Sequence, residues 1–200
     1  MSNRDHERLS VAPDHTRRTV RALAALLLGA AAWACGSTFG LNRVPVPDNP
    51  TEATLSDFRT SDVRDASAFN VLTGRTVRTD LSASWDFLYY VLPDGTAQLR
   101  PRDMVLGGSS ASGLRHSDQT FDGITDAPDG GYTTDQPVVI AQGDVLTGVS
   151  RSDPGYSTRC RHFFKMEVES IDAAAGTVTF RILINPNCEQ RILVPGQGGS

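Results

Sequence analysis

The stretch Arg159–Gly199 constrains the fold more than any other part of the chain, because it reads as one long β-hairpin with a cysteine near each open end. On the outgoing arm Cys160, His162, Phe164, Met166 and Val168 alternate with Arg161, Lys165, Glu167 and Glu169. After a turn at Asp172–Gly176, the return arm sets Val178, Phe180, Ile182 and Ile184 against Thr177, Thr179 and Arg181. Successive side chains of a strand point to opposite faces, so a period of two marks a half-buried antiparallel strand. Pairing Ile171 with Thr177 places Val168 opposite Phe180, Met166 opposite Ile182 and Phe164 opposite Ile184. Carried further, the same register sets Cys160 opposite Cys188, although Pro186 can disturb it near Asn187. Facing residues of a non-hydrogen-bonded pair have Cα atoms about 4.5 Å apart, near the short end of what a disulfide spans. Closing a loop of this length stabilises the fold by about 3–4 kcal/mol through entropy removed from the unfolded chain. The disulfide is adopted over a metal site in which two free thiols act with His162.

A disulfide needs an oxidising compartment, and the start of the chain supplies a route to one. Arg17, Arg18 and Arg21 precede an apolar run, Ala22–Ala34, too short to cross a bilayer as a helix but suited to the core of a signal peptide. Ala32-Trp33-Ala34 satisfies the small-x-small cleavage rule. Cys35-Gly36-Ser37 follows at once, as in a bacterial lipobox whose cysteine is lipidated and becomes residue one; Trp33 is unusual in that context. The chain has three cysteines; with two of them paired, Cys35 is the odd one, and lipidation there is expected ahead of simple secretion. Thr16-Arg17-Arg18 also resembles a twin-arginine signal, but an ordinary basic leader accounts for the same residues. The expected organisation is a signal peptide over 1–34, a lipidated N-terminus and flexible tether over 35–67, and a domain over 68–200. Val44–Pro50 is polyproline-like and the residues to Ala66 are polar, which suits a tether, part of which can dock as an edge strand.

The chain carries a net charge of −4, although its first residues to Arg21 hold five arginines against Asp5, Glu7 and Asp14. The exported part is therefore the more acidic, and its basic side chains are scattered singly. No footprint for nucleic acid exists.

Between tether and hairpin, short apolar segments are punctuated by turns. Phe69–Leu72 and Thr76–Thr79 flank a Thr73-Gly74 turn. Trp85–Leu92 is apolar on both faces, as a strand covered on both sides must be. Asp86 within it is expected to accept backbone or arginine hydrogen bonds rather than to catalyse. Pro93-Asp94-Gly95 is a turn, after which Ala97–Leu99 and Met104–Leu106 read as a strand interrupted at Pro101. Gly107–Gly113 reads as a flexible loop, Phe121–Thr134 as solvated turns, and Pro137–Ile140 and Asp144–Ser150 as two further strands. About eight strands and no amphipathic helix after the leader predict an all-β, antiparallel, sandwich-like domain ending in the disulfide-closed hairpin.

Chemical motifs are scarce. The Gly107–Gly113 loop lacks the Gly-Lys-Ser/Thr of a phosphate loop and the Gly-x-Ser-x-Gly of a nucleophile elbow. The acids of 122–135 lack EF-hand spacing. No Cys-x-x-Cys or His-Glu-x-x-His offers zinc ligands, and the chain is not expected to be an enzyme. After removal of the leader two histidines remain, His116 in a loop and His162 on the inward face of the hairpin. His162 and Met166 lie four residues apart on one strand face, about 13 Å, too far to ligate one haem iron together. His162 with His116 from across the fold is the remaining pair.

Phe69-Asn70-Val71-Leu72-Thr73-Gly74-Arg75-Thr76-Val77, followed by Ser84-Trp85-Asp86-Phe87, resembles the opening strands of the HmuY-like lipoproteins. Phe163-Phe164-Lys165-Met166 and Gly176-Thr177-Val178-Thr179-Phe180 are similar to that family's closing hairpin. The resemblance implies a lipid-anchored all-β domain in the bacterial envelope, membrane-bound through Cys35, that binds a ligand, with haem the named candidate. The family holds haem with a His or Met pair on loops; neither His116 nor His162 aligns with those positions, and the Cys160–Cys188 bridge is a departure. An alternative from another class is a structural module that docks a partner envelope protein through an exposed apolar patch around Tyr89, Tyr90 and Phe163.

Overall fold

The computed structural model describes residues 43–59, 61–156 and 159–198. The expected signal peptide and the lipidation site Cys35 lie outside the described residues. Within them run ten strands and one short helix: β1 (Thr51–Ser56), β2 (Ala68–Asn70), β3 (Arg75–Val77), β4 (Phe87–Val91), β5 (Ala97–Pro101), α1 (Arg102–Leu106), β6 (Gly113–Ser117), β7 (Val138–Val139), β8 (Val145–Val149), β9 (Phe163–Asp172) and β10 (Thr177–Ile184). They form two antiparallel five-stranded sheets, ordered β1-β10-β9-β8-β6 and β3-β2-β4-β5-β7.

The closing hairpin β9–β10 is the centre of the first sheet. Phe180 faces Val168, Ile182 faces Met166 and Ile184 faces Phe164, as the alternation requires. Thr177, however, pairs with Asp172 and not with Ile171, and the slip is absorbed by a bulge between Thr179 and Phe180. Asp172 explains the difference, since its Oδ1 accepts the N–H groups of both Ala174 and Ala175 at 2.9 Å and holds a tight turn that ends on Gly176 at φ 63°. The turn sets one register and the buried face sets the other; the extra residue reconciles them. Beyond the last pair, Cys160 and Cys188 are joined, with Cα atoms 4.7 Å apart.

The two sheets close over one apolar core. Phe69, Phe87, Tyr89 and Leu99 meet Leu55, Leu146, Phe164, Met166 and Phe180 there, and the rings of Phe69 and Phe180 cross edge-to-face at 5.5 Å between centroids. The strand read as apolar on both faces is so: Trp85, Phe87, Leu88 and Tyr89 are all buried, the first and third in a small cluster behind the second sheet.

Four expectations need correction. First, the segment assigned to a tether belongs to the domain from Arg43 at the latest. β1 pairs with β10 along its whole length, and Val46 is buried beneath the first sheet. Its pairing partner lies far along the chain, so its own polar sequence carries little sign of it. Second, Met104–Leu106 is helical. Pro101 ends β5 and its fixed φ suits a helix start. Third, the turn-rich segment 121–134 is not simply solvated: Phe121, Ile124, Ala127 and Tyr132 turn inward and, with Val46 and Leu193, cover the outer face of the first sheet. Lys165, read as outward and wet, lies under this cover at 2% exposure. Fourth, His116 sits on strand β6 and not in a loop.

Candidate functional site

His162 stands one residue before β9, where the hairpin leaves its regular pairing. Its backbone N–H donates to Ser150 Oγ at 2.9 Å and its carbonyl accepts from Ser150 N–H at 2.9 Å, which ties it to the end of β8. The imidazole Nδ1 is 3.1 Å from the Asn185 carbonyl oxygen. A carbonyl only accepts, so Nδ1 carries the proton, and Nε2 is the nitrogen that offers a lone pair whenever the ring is neutral. Nε2 lies 3.7 Å from Cys160 Sγ.

The ring opens onto a cleft of about 310 Å³. One wall is the approach to β1 (Pro47, Asn49, Thr51), a second is the β2–β3 turn (Val71, Leu72, Gly74), and the floor is the end of β10 with Pro186. The wall formed by the N-terminal segment is held by Asn187, whose Oδ1 accepts Val44 N–H at 2.8 Å while its Nδ2 donates to the Val44 carbonyl at 2.7 Å. The side chain thus pairs with Val44 as a neighbouring strand would. Asn185 beneath it is fully buried, donating to the Ile192 carbonyl at 2.7 Å and accepting from Asn187. The Asn185-Pro186-Asn187-Cys188 segment is therefore a clasp that joins the approach to β1 to the end of β10 and so assembles the cleft. In the sequence Pro186 stands out only as a residue able to disturb the hairpin register near Asn187; two asparagines around a proline were the available signal.

His116 is elsewhere. Its Nε2 donates to the Val139 carbonyl at 2.9 Å, its Nδ1 is 4.0 Å from Asp144 Oδ2, and it borders a separate polar cleft of about 180 Å³ with Arg115, Asp118 and Thr147. In register His116 matches Leu146 and, through it, Met166. Two strand spacings and four residues along β9 then separate the two histidines, on the order of 16 Å. They do not share a site, so the His116–His162 haem pair is not assembled. Among the described residues neither ring is hydrogen-bonded to a serine hydroxyl, so no Ser-His relay is formed.

Asp86 behaves as expected of a buried acceptor. It takes the N–H groups of Val71 (2.8 Å) and Arg151 (2.7 Å) and the Arg151 guanidinium (2.9 Å). The loop after α1 is likewise organised by a carboxylate, since Asp103 accepts the N–H groups of Ser110 and Ala111 at 3.0 Å.

The apolar patch expected around Tyr89, Tyr90 and Phe163 is absent. Tyr89 and Phe163 are buried, and the Arg100 guanidinium lies 3.4 Å above the Tyr90 ring. Exposed apolar side chains gather instead at a third cleft, about 350 Å³, where Phe58, Val63, Val105 and Leu106 surround Trp85.

Comparison with family models, with curated proteins and with solved structures finds no match to this chain.

Proposed function

We propose that the protein is an exported, lipid-anchored envelope protein whose β-sandwich binds a small, largely apolar ligand without transforming it. The observation that carries this reading is the cleft beside His162: its volume of about 310 Å³ falls at the lower end of small-molecule sites, and its walls are mostly apolar with an imidazole at the edge. The leader-like start and the lone Cys35 support export and anchoring. Haem is the ligand the HmuY-like resemblance suggests, but the cleft offers one histidine and no second histidine or methionine among its lining residues. The residues do not fit a two-ligand haem, so no step is routed through one.

Titration of the purified protein with haemin and with the fluorophore anilinonaphthalene sulfonate tests the proposal. Binding should be saturable and be lost in Thr51→Trp, which fills the cleft from its rim. Any Soret change should vanish in His162→Ala and survive in His116→Ala. A free-haemin spectrum together with fluorophore binding indifferent to Thr51→Trp would remove the reading. A second reading, a docking module for a partner envelope protein, is favoured by the exposed apolar cleft at Phe58, Val63, Val105 and Leu106; it expects no ligand at His162 in the same titrations.

A further inference from the structure

Cys160 Sγ, Cys188 Sγ and the His162 imidazole place three metal-ligating atoms within 4.8 Å of one another. We infer that the Cys160–Cys188 disulfide masks a thiophilic metal site, and that reduction converts these three residues into a Cys₂His set for a Zn²⁺-class ion. This does not depend on the ligand cleft reading, which concerns the oxidised protein.

Three observations carry it. The imidazole is already in the tautomer a metal requires. Its Nδ1–H is spent on the Asn185 carbonyl at 3.1 Å, leaving the Nε2 lone pair beside the sulfur; metal-bound histidines use this same carbonyl anchor. That carbonyl is itself placed by the Asn185 N–H donating to the Phe163 carbonyl at 2.9 Å, so the ring is preorganised by the backbone of both hairpin arms. The spacing also fits. With Zn–S about 2.3 Å and Zn–N about 2.0 Å, a tetrahedral ion holds S and N about 3.5 Å apart, against the 3.7 Å between Cys160 Sγ and Nε2. Two thiolates on one such ion are about 3.8 Å apart, which side-chain rotation can reach from facing positions with Cα atoms 4.7 Å apart. Finally, Cys160 is buried, Cys188 is half-buried, and His162 borders the cleft, so a fourth position can be filled by water or a small ligand.

The chemistry balances in two steps. A dithiol reductant gives two electrons and two protons to the Cys160–Cys188 bond, forming two thiols and becoming a disulfide itself. The incoming divalent ion then displaces both thiol protons and binds two thiolates and the neutral imidazole. Thiolate and imidazole donors select Zn²⁺ or Cu⁺ over the hard cations.

The test titrates Co²⁺, a spectroscopic stand-in for Zn²⁺, into the full chain before and after reduction with a phosphine. The reduced protein should take up one equivalent, show thiolate-to-metal charge-transfer absorption with strong tetrahedral ligand-field bands, and lose both on addition of Zn²⁺. The oxidised protein should show neither. His162→Ala should weaken binding by more than about tenfold and change the ligand-field bands, and Cys160→Ser with Cys188→Ser should abolish them. Where circular dichroism shows the reduced apo-chain unfolded, one equivalent of Zn²⁺ should restore the β signal, because ligands assembled only by the fold couple binding to folding. A reduced chain that gives only hexaaquo Co²⁺ spectra, that Zn²⁺ does not refold, or whose His162→Ala variant titrates like the wild type overturns the proposal.

Discussion

Asp86 and Lys165 are both sealed from water, one with a full set of partners and the other with few. Burial pushes the Asp86 carboxyl up, while the Arg151 charge and the N–H groups of Arg151 and Val71 pull it down. Its contacts join the start of β4 to the end of β8, and so one sheet to the other. Lys165 donates once, to the Ile124 carbonyl at 2.9 Å, and holds its ammonium 4.8 Å from the Phe121 ring centroid. Burial lowers its pKa from the ordinary 10.5; Arg181 adds to the shift and Asp122 opposes it. The folded chain then binds fewer protons at this site than the unfolded chain between the lowered value and 10.5. Stability must rise with pH across that window, and the penalty is complete below it. Lys165→Met should be at least as stable as the wild type at neutral pH, with the wild type gaining on it as the pH rises toward 10. Urea midpoints at both ends of the window check this, and a wild type that loses ground instead would reverse the assignment. Alternation showed where Lys165 points in the strand. It carried no sign that a distant loop would lie over it.

At the scale of elements, β8 shows what a strand covered on both faces demands. All five of its residues are buried, and a Cβ added to Gly148 would stand 2.1 Å from Phe164 Cζ on the neighbouring strand. The ring of Phe164 occupies the space the glycine leaves, and it is part of the inter-sheet core. Gly148→Ala should therefore cost about 1–3 kcal/mol by overpacking, and Phe164→Leu in the same chain should make the alanine cheaper. A double-mutant cycle in denaturant reads the coupling; additive effects would mean that the glycine is not there for the ring. The strands legible in the sequence were those with their own signal: sustained alternation (β9, β10), an apolar run (β4, β8), or a short apolar segment set off by turns (β2, β3, β5, β7). β6 was not legible, and β1 was foreseen only as an unplaced part of the tether able to dock as an edge strand. β1 is a polar edge strand that exists because β10 offers it a pairing edge, and β6 carries one buried leucine among glycine, arginine, histidine and serine.

For the whole molecule, the bridge between Cys160 and Cys188 and the asparagine clasp act at the same corner, where the segment leading into β1 meets the segment that follows β10. The cysteines are separated by 28 positions, and a loop of that length is worth about 3–4 kcal/mol in the chain-entropy model. The Cys160→Ser, Cys188→Ser double variant should lose that amount in urea unfolding with a steeper slope, since the unfolded chain freed of the bridge exposes more surface while the folded hairpin is held by its own core. A loss below about 1 kcal/mol would place the constraint elsewhere than in the unfolded chain.

The order of residues alone dictates the all-β class, the closing hairpin, its core face and its disulfide, because each rests on contacts between residues close in the chain or on strict periodicity. It also specified Asp86 as a structural acceptor, since a carboxylate inside a two-sided apolar strand must find donors. What covers the outer face of the first sheet, which segment completes the sandwich edge, and the placing of His116 and His162 in separate clefts emerge from the folded packing alone. Those outcomes depend on segments far apart in sequence, such as Val44 with Asn187 and Ile124 with Lys165. Pairings of that kind are fixed by space and hydrogen-bond demand, and they leave no period in the chain to read.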